Sequence, residues 1–176
     1  MEFKCISKIF KKNNVNWDII HDKICDLIIK TIISVYQELI DKLERDNLND
    51  RSFFNILGFD ILITKNYEPI LLEVNHAPSV NIYDKLDIIL KRNLLVDTFN
   101  RVGITPFSKE MFDNINKENN LNDNVDESIN NAFCEFSRPI GDYELIFPLK
   151  ENIDKYKKFF GNINEENEKF WKIIKE

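Results

Sequence analysis

Residues 59–79 read FDILITKNYEPILLEVNHAPS, and this stretch leaves the backbone few choices. Residues 56–63 form an apolar run interrupted by Gly58 and Asp60, residues 64–68 are polar and turn-like, and residues 69–74 are apolar again until Glu73. Two short β-rich runs around a loop of a few residues predict an antiparallel hairpin. With the loop centred on Asn66 and Tyr67, Asp60 falls opposite Glu73 and Gly58 opposite Asn75. Side chains alternate faces along a strand, so these four positions share one face. Three oxygen-bearing side chains then meet over a position where glycine adds no bulk.

Like charges directly opposite on a sheet are destabilising. Inside apolar strands the cost grows, because a buried charge must be paired or must coordinate a metal. Mg²⁺ would offset it, since that ion takes oxygen ligands, commonly one or two carboxylates together with substrate phosphates. The alternative is an edge hairpin whose Asp60 and Glu73 point into water, as charged residues mostly do. Ile61, Leu62 and Ile63 on one run, with Ile70, Leu71 and Leu72 on the other, leave little room for a wholly solvated face, which favours the metal site.

At 176 residues the chain can bury the core of one ordinary domain, or of one domain with an appendage. Its formal net charge of -6 argues against nonspecific nucleic-acid binding, which needs a basic surface. Cys5, Cys25 and Cys134 are odd in number, far apart and in no ligand spacing. They read as small hydrophobes in a reducing cytoplasmic setting rather than as a disulfide framework or zinc site. No run is long and apolar enough to span a membrane, and the lysine-bearing first dozen residues lack the core of a signal peptide.

Residues 17–43 carry apolar side chains at intervals of three and four, from Ile20 and Ile24 through Ile32 and Val35 to Leu43, which predicts a long amphipathic helix. Asp18 and Asp22 near its start and Lys42 near its end suit the helix dipole. Residues 86–102 predict a second helix with Leu86, Ile89, Leu90, Leu94, Thr98 and Val102 on one side, ended by Gly103 and Pro106. Residues 108–131 are dense in Asn, Asp and Glu and read as a solvated linker. Beyond it, residues 143–148 (YELIFP) read as a short strand, and residues 152–160 and 165–174 as two short helices. The expected class is α+β. Residues 1–107 make the main part, residues 108–132 a disordered linker, and residues 133–176 a small extension.

No glycine-rich phosphate loop of the P-loop or dinucleotide-binding type is present, and Gly occurs four times in all. A metal and phosphate site without a phosphate cradle leads to the expectation that half of the active site lies outside these residues.

NILGFDIL (residues 55–62), LLEVNHAPS (71–79) and LDIILKRNLLVDTFNRVG (86–103) together resemble the C-terminal part of tubulin tyrosine ligase-like enzymes, ATP-grasp amino-acid ligases, and most of all their polyglutamylase branch. DLIIKTIIS (26–34) resembles the same family in the same order, and YELIFP followed by DKYKKFF (154–160) resembles the segment after its catalytic core. The resemblance implies an ATP-grasp fold and Mg²⁺ held by Asp60, Glu73 and Asn75 on the phosphates of ATP. It implies that a tubulin glutamate side chain is phosphorylated and then attacked by the amine of an incoming amino acid, here glutamate. It places His76 and Lys91 near that amino acid, and tubulin, microtubules and the cytoskeleton, with axoneme or basal body as possible sites, among the partners and places. The family's nucleotide-binding lysines and adenine-contacting strand have no counterpart here. Open alternatives are a glycylase or tyrosine ligase relative, and a non-catalytic tubulin-binding module derived from such a ligase.

Overall fold

A computed structural model describes residues 7–8, 10–48, 53–103, 137–138, 140–161, 163 and 165–175. The expected linker, Cys5 and Cys134 lie outside the described residues. The described residues mix helices with one two-stranded antiparallel sheet: α1 (Trp17–Arg45), β1 (Gly58–Ile63), β2 (Pro69–Asn75), α2 (Lys85–Val102), α3 (Ile153–Lys157) and α4 (Glu165–Lys175). The chain divides into two compact units, one drawn from Met1–Val80 and Asn152–Asn162, the other from Asn81–Glu151 and Ile163–Glu176. Among the described residues no helix is long and apolar enough to cross a membrane.

In the first unit, α1 starts where the Asn16 side chain accepts the Asp18 N–H at 3.0 Å, satisfying a donor that has no partner inside the helix. Asp18 in its first turn and Lys42 and Arg45 in its last complement the helix dipole. Its apolar stripe buries Ile20, Ile29 and Ile33. The short helix α3 packs here as well, with Ile153 and Tyr156 buried and Phe160 edge-on to Tyr36 at 5.1 Å between ring centroids.

The hairpin also belongs to this unit. Its turn closes through Thr64 N–H to the Glu68 carbonyl at 3.0 Å and Tyr67 N–H to the Thr64 carbonyl at 2.9 Å. Tyr67 adopts the left-handed region, φ 61°, which a branched or bulky residue seldom does. Its ring lies 6.1 Å from that of Phe10, itself 5.4 Å from Trp17, while Glu68 pairs with Lys23 of α1. These contacts fix the turn against the start of α1.

In the second unit, Asp84 caps α2 by accepting the Asp87 N–H at 2.8 Å, and Gly103 ends it at φ 76°. The expected apolar stripe is covered along half its length. Leu90, Leu94 and Thr98 are half-buried or buried, whereas Leu86 and Ile89 are about half exposed. Arg138, Asp142 and Tyr143 lie on the C-terminal half of the helix. Residues 143–148 are not the expected strand. Leu145, Ile146, Phe147, Pro148 and Leu149 are all half-buried rather than alternating, and the Phe147–Pro148 bond is cis. This segment is held by its side chains, including Phe147 edge-on to Trp171 of α4 at 5.7 Å, in place of a backbone ladder.

Candidate metal and substrate site

The hairpin pairs Gly58 with Asn75, Phe59 with Val74 and Asp60 with Glu73. Closer to the turn the count changes, because Ile61 pairs with Leu71, Leu62 with Ile70 and Ile63 with Pro69. Leu72 is the surplus residue, a β-bulge between the two halves of the ladder. The turn is thus centred one half-step earlier than the sequence suggested, and the bulge restores the pairing at the carboxylates. Asp60, Glu73 and Asn75 emerge on one face.

That face is open. Asp60, Glu73, Asn75 and His76 are all exposed, and so are the neighbouring Leu62, Ile70 and Leu72. The sequence argument that the apolar neighbours exclude a solvated face does not hold for this chain. A two-stranded sheet has a second face, and it is there that Phe59, Ile61, Ile63 and Leu71 are partly covered. Mutual repulsion between the two carboxylates is correspondingly mild, roughly 0.2–1 kcal/mol for facing like charges on a sheet.

Two further contacts shape the site. The Asn75 amide donates to Glu73 Oε1 at 3.0 Å, which orients the carboxylate and leaves the Asn75 amide oxygen outside that bond. Past His76 the chain folds back so that a Cβ on Gly58 would sit 3.1 Å from Pro78 Cβ and 3.6 Å from Asn75 Cβ. Glycine at 58 therefore suits the close approach of Pro78, which hydropathy alone does not signal. The donor set is two carboxylates and one amide oxygen, all hard, and it fits an ion such as Mg²⁺ in chemistry. Among the described residues, no group of three or more His, Cys, Asp or Glu side chains is placed to hold a metal.

Lys91 belongs to the second unit and is engaged there. Its ammonium donates to the Asn81 carbonyl, pairs with Asp87 Oδ2 at 3.2 Å and lies 5.4 Å from the centre of the Tyr83 ring. Asp87 in turn accepts the Tyr83 N–H at 3.0 Å, and that bond, reinforced by Lys91, holds its carboxyl below the usual range. The i,i+4 spacing of Asp87 and Lys91 signals the pair. The roles of Asn81 and Tyr83 become visible with the loop geometry.

The sequence profile of the tubulin-tyrosine ligase family matches residues 3–114. The chain belongs to the tubulin-tyrosine ligase family. Similar family members include tubulin monoglutamylase TTLL4 of Homo sapiens, 34% identical over 100 residues that make up 57% of this chain and 8% of that protein. A probable beta-tubulin polyglutamylase of Tetrahymena thermophila is 36% identical over 95 residues, 52% of this chain and 8% of that protein. Tubulin polyglutamylase ttll6 of Danio rerio is 41% identical over 76 residues, 42% of this chain and 10% of that protein. The chain thus spans about a tenth of the length of these family members, and what it shares with them is a glutamylase-like segment.

Proposed function

We propose that this chain carries the metal-holding end of the active site of an ATP-grasp ligase that joins glutamate to glutamate side chains of tubulin. The cytoskeleton is the corresponding place of action. The observation that supports this reading is the register of Asp60 against Glu73, with Asn75 on the same exposed face, in a family member whose relatives are named tubulin glutamylases.

In this reading Asp60, Glu73 and Asn75 would hold Mg²⁺, which would supply charge neutralisation at phosphate oxygens. The chain's own contribution is positional. The Asn75 amide fixes the Glu73 carboxylate. The lack of a side chain at Gly58 lets Pro78 approach the strand end closely. His76 is exposed and next to Asn75, and the assignment of His76 and of Lys91 to the incoming amino acid rests on the family resemblance. Binding by Lys91 of a substrate carboxylate would use the ammonium donor that Asn81 and Asp87 leave over. A non-catalytic module is disfavoured because two facing carboxylates serve no structural end.

Manganese as a paramagnetic probe of the isolated chain tests the site. Selective broadening of the Asp60, Glu73 and Asn75 resonances, lost in Asp60→Asn, supports it. Uniform broadening of all surface carboxylates removes the metal assignment.

A further inference from the structure

Residues 137–175 contribute to both compact units, and in each unit they rest on a helix from much earlier in the sequence. On α1, the Asp26 carboxylate accepts the Tyr156 hydroxyl at 2.8 Å and pairs with Lys155 at 2.6 Å, and Tyr36 receives the Phe160 ring. Ile153 and Tyr156 are 1% and 3% exposed, so this seat is packed as a core is.

On α2 the contacts are mostly polar. The Arg101 guanidinium donates to the Arg138 carbonyl at 3.1 Å, and Arg138 returns a bond to the Arg101 carbonyl at 3.3 Å. Asp97 accepts the Asp142 N–H at 2.8 Å, while Asn93 donates to the Asp142 carboxylate at 3.2 Å. Thr98 donates to the Leu94 carbonyl, so the Tyr143 hydroxyl, 2.6 Å away, donates to Thr98. Gly141 sits at φ 58°, where a Cβ would come within 2.1 Å of the Asp97 carboxyl carbon. A Cβ on Gly103 would come within 2.5 Å of the Arg138 guanidinium. Positive φ at both glycines makes a side chain strained there, and an added Cβ would also displace the Asp97 carboxyl or the Arg138 guanidinium.

We infer that residues 137–175 are a strap with two separate seats, one on α1 and one on α2, and that it remains seated when the covalent link through residues 104–136 is cut. Neither seat uses Asp60, Glu73 or Asn75. The binding partner of each helix surface is thus a segment of this same chain, recognised by paired backbone and side-chain hydrogen bonds on α2 and by a buried Ile–Tyr pair on α1.

The test inserts a protease recognition sequence after residue 120 of the full chain, cuts it to completion and examines the products by native mass spectrometry and gel filtration at low micromolar concentration. The expected result is one complex of both pieces with an unchanged far-UV spectrum. Gly141→Val should weaken the cut complex roughly tenfold or more, the equivalent of about 1.4 kcal/mol. Tyr156→Ala should do so independently. Uncut variants report whether the fold survives the substitutions. Separation of the wild-type pieces overturns the strap. So does a well-folded Gly141→Val variant whose cut pieces bind as tightly as the wild type.

Discussion

Glu73 faces Asp60 across the hairpin while receiving the Asn75 amide, so its charge has opposite consequences for fold and for ligand. Glu73→Gln keeps size and one oxygen but removes repulsion. Chemical denaturation should show unchanged stability or a gain of up to about 0.5 kcal/mol, because both carboxylates are exposed. Affinity for Mn²⁺ or Mg²⁺, read by titration calorimetry, should fall by roughly tenfold or more, the scale seen for losing a group that supports a metal. Lost stability with intact ion binding would make Glu73 structural. Asp26 gives a pH prediction. Partial burial opposes its ionised form, but hydrogen bonds from Lys155, Lys30 and Tyr156 outweigh this and hold its carboxyl at about 2. A depressed pKa contributes stability above the unfolded value near 4 that is lost as pH falls towards 2. The wild type should lose about 1–2 kcal/mol across that window, a discounted figure for a partly solvated group. Asp26→Asn should already lack that increment at pH 7. Equal pH profiles for the two proteins would remove the clamp. The facing pair at the hairpin was legible because the two strands and their short turn are contiguous in sequence. The Asp26 cluster was not, since Tyr156 lies 130 positions away with Lys155 beside it, and only packing brings them close.

The hairpin shows how an element can be read correctly for a reason that is only half right. Centring the turn on Asn66 and Tyr67 assumes a regular ladder, whereas the observed ladder is offset near the turn and corrected by Leu72. Bulges depend on local twist and leave little trace in hydropathy. Leu72, 62% exposed, is the residue the ladder can spare. Deleting it should leave Asp60 opposite Glu73, straighten β2 and preserve ion binding. Cross-strand nuclear Overhauser contacts between residues 60 and 73 would check this, and their replacement by contacts between 60 and 74 would contradict it. α1 and α2 were legible almost to their ends because apolar spacing of three and four marks their extent and Gly103 marks a stop, while the caps at Asn16 and Asp84 emerge from the structure. YELIFP was misread because an apolar run identifies burial without saying whether a neighbouring strand exists to pair with.

Across the whole chain, no glycine-rich loop accompanies the hairpin to cradle phosphates. Incubated with ATP, Mg²⁺, glutamate and tubulin, these 176 residues alone should leave tubulin tails unmodified by mass spectrometry. Glutamylation above an enzyme-free control would require a phosphate-binding device that sequence motifs do not reveal. The motifs and their order carried the family, while the distribution of residues 137–175 between two units had no sequence signal, because each seat pairs residues distant in the chain. Arg138 meets Gly103, so the chain comes back to the point where α2 released it. Insertions between Gly103 and Arg138 of this chain should therefore come at little thermodynamic expense, each doubling of the length between two such neighbouring ends adding only about 0.6 kcal/mol of closure entropy. Length polymorphism, and even the grafting of a foreign domain, should collect at that one address.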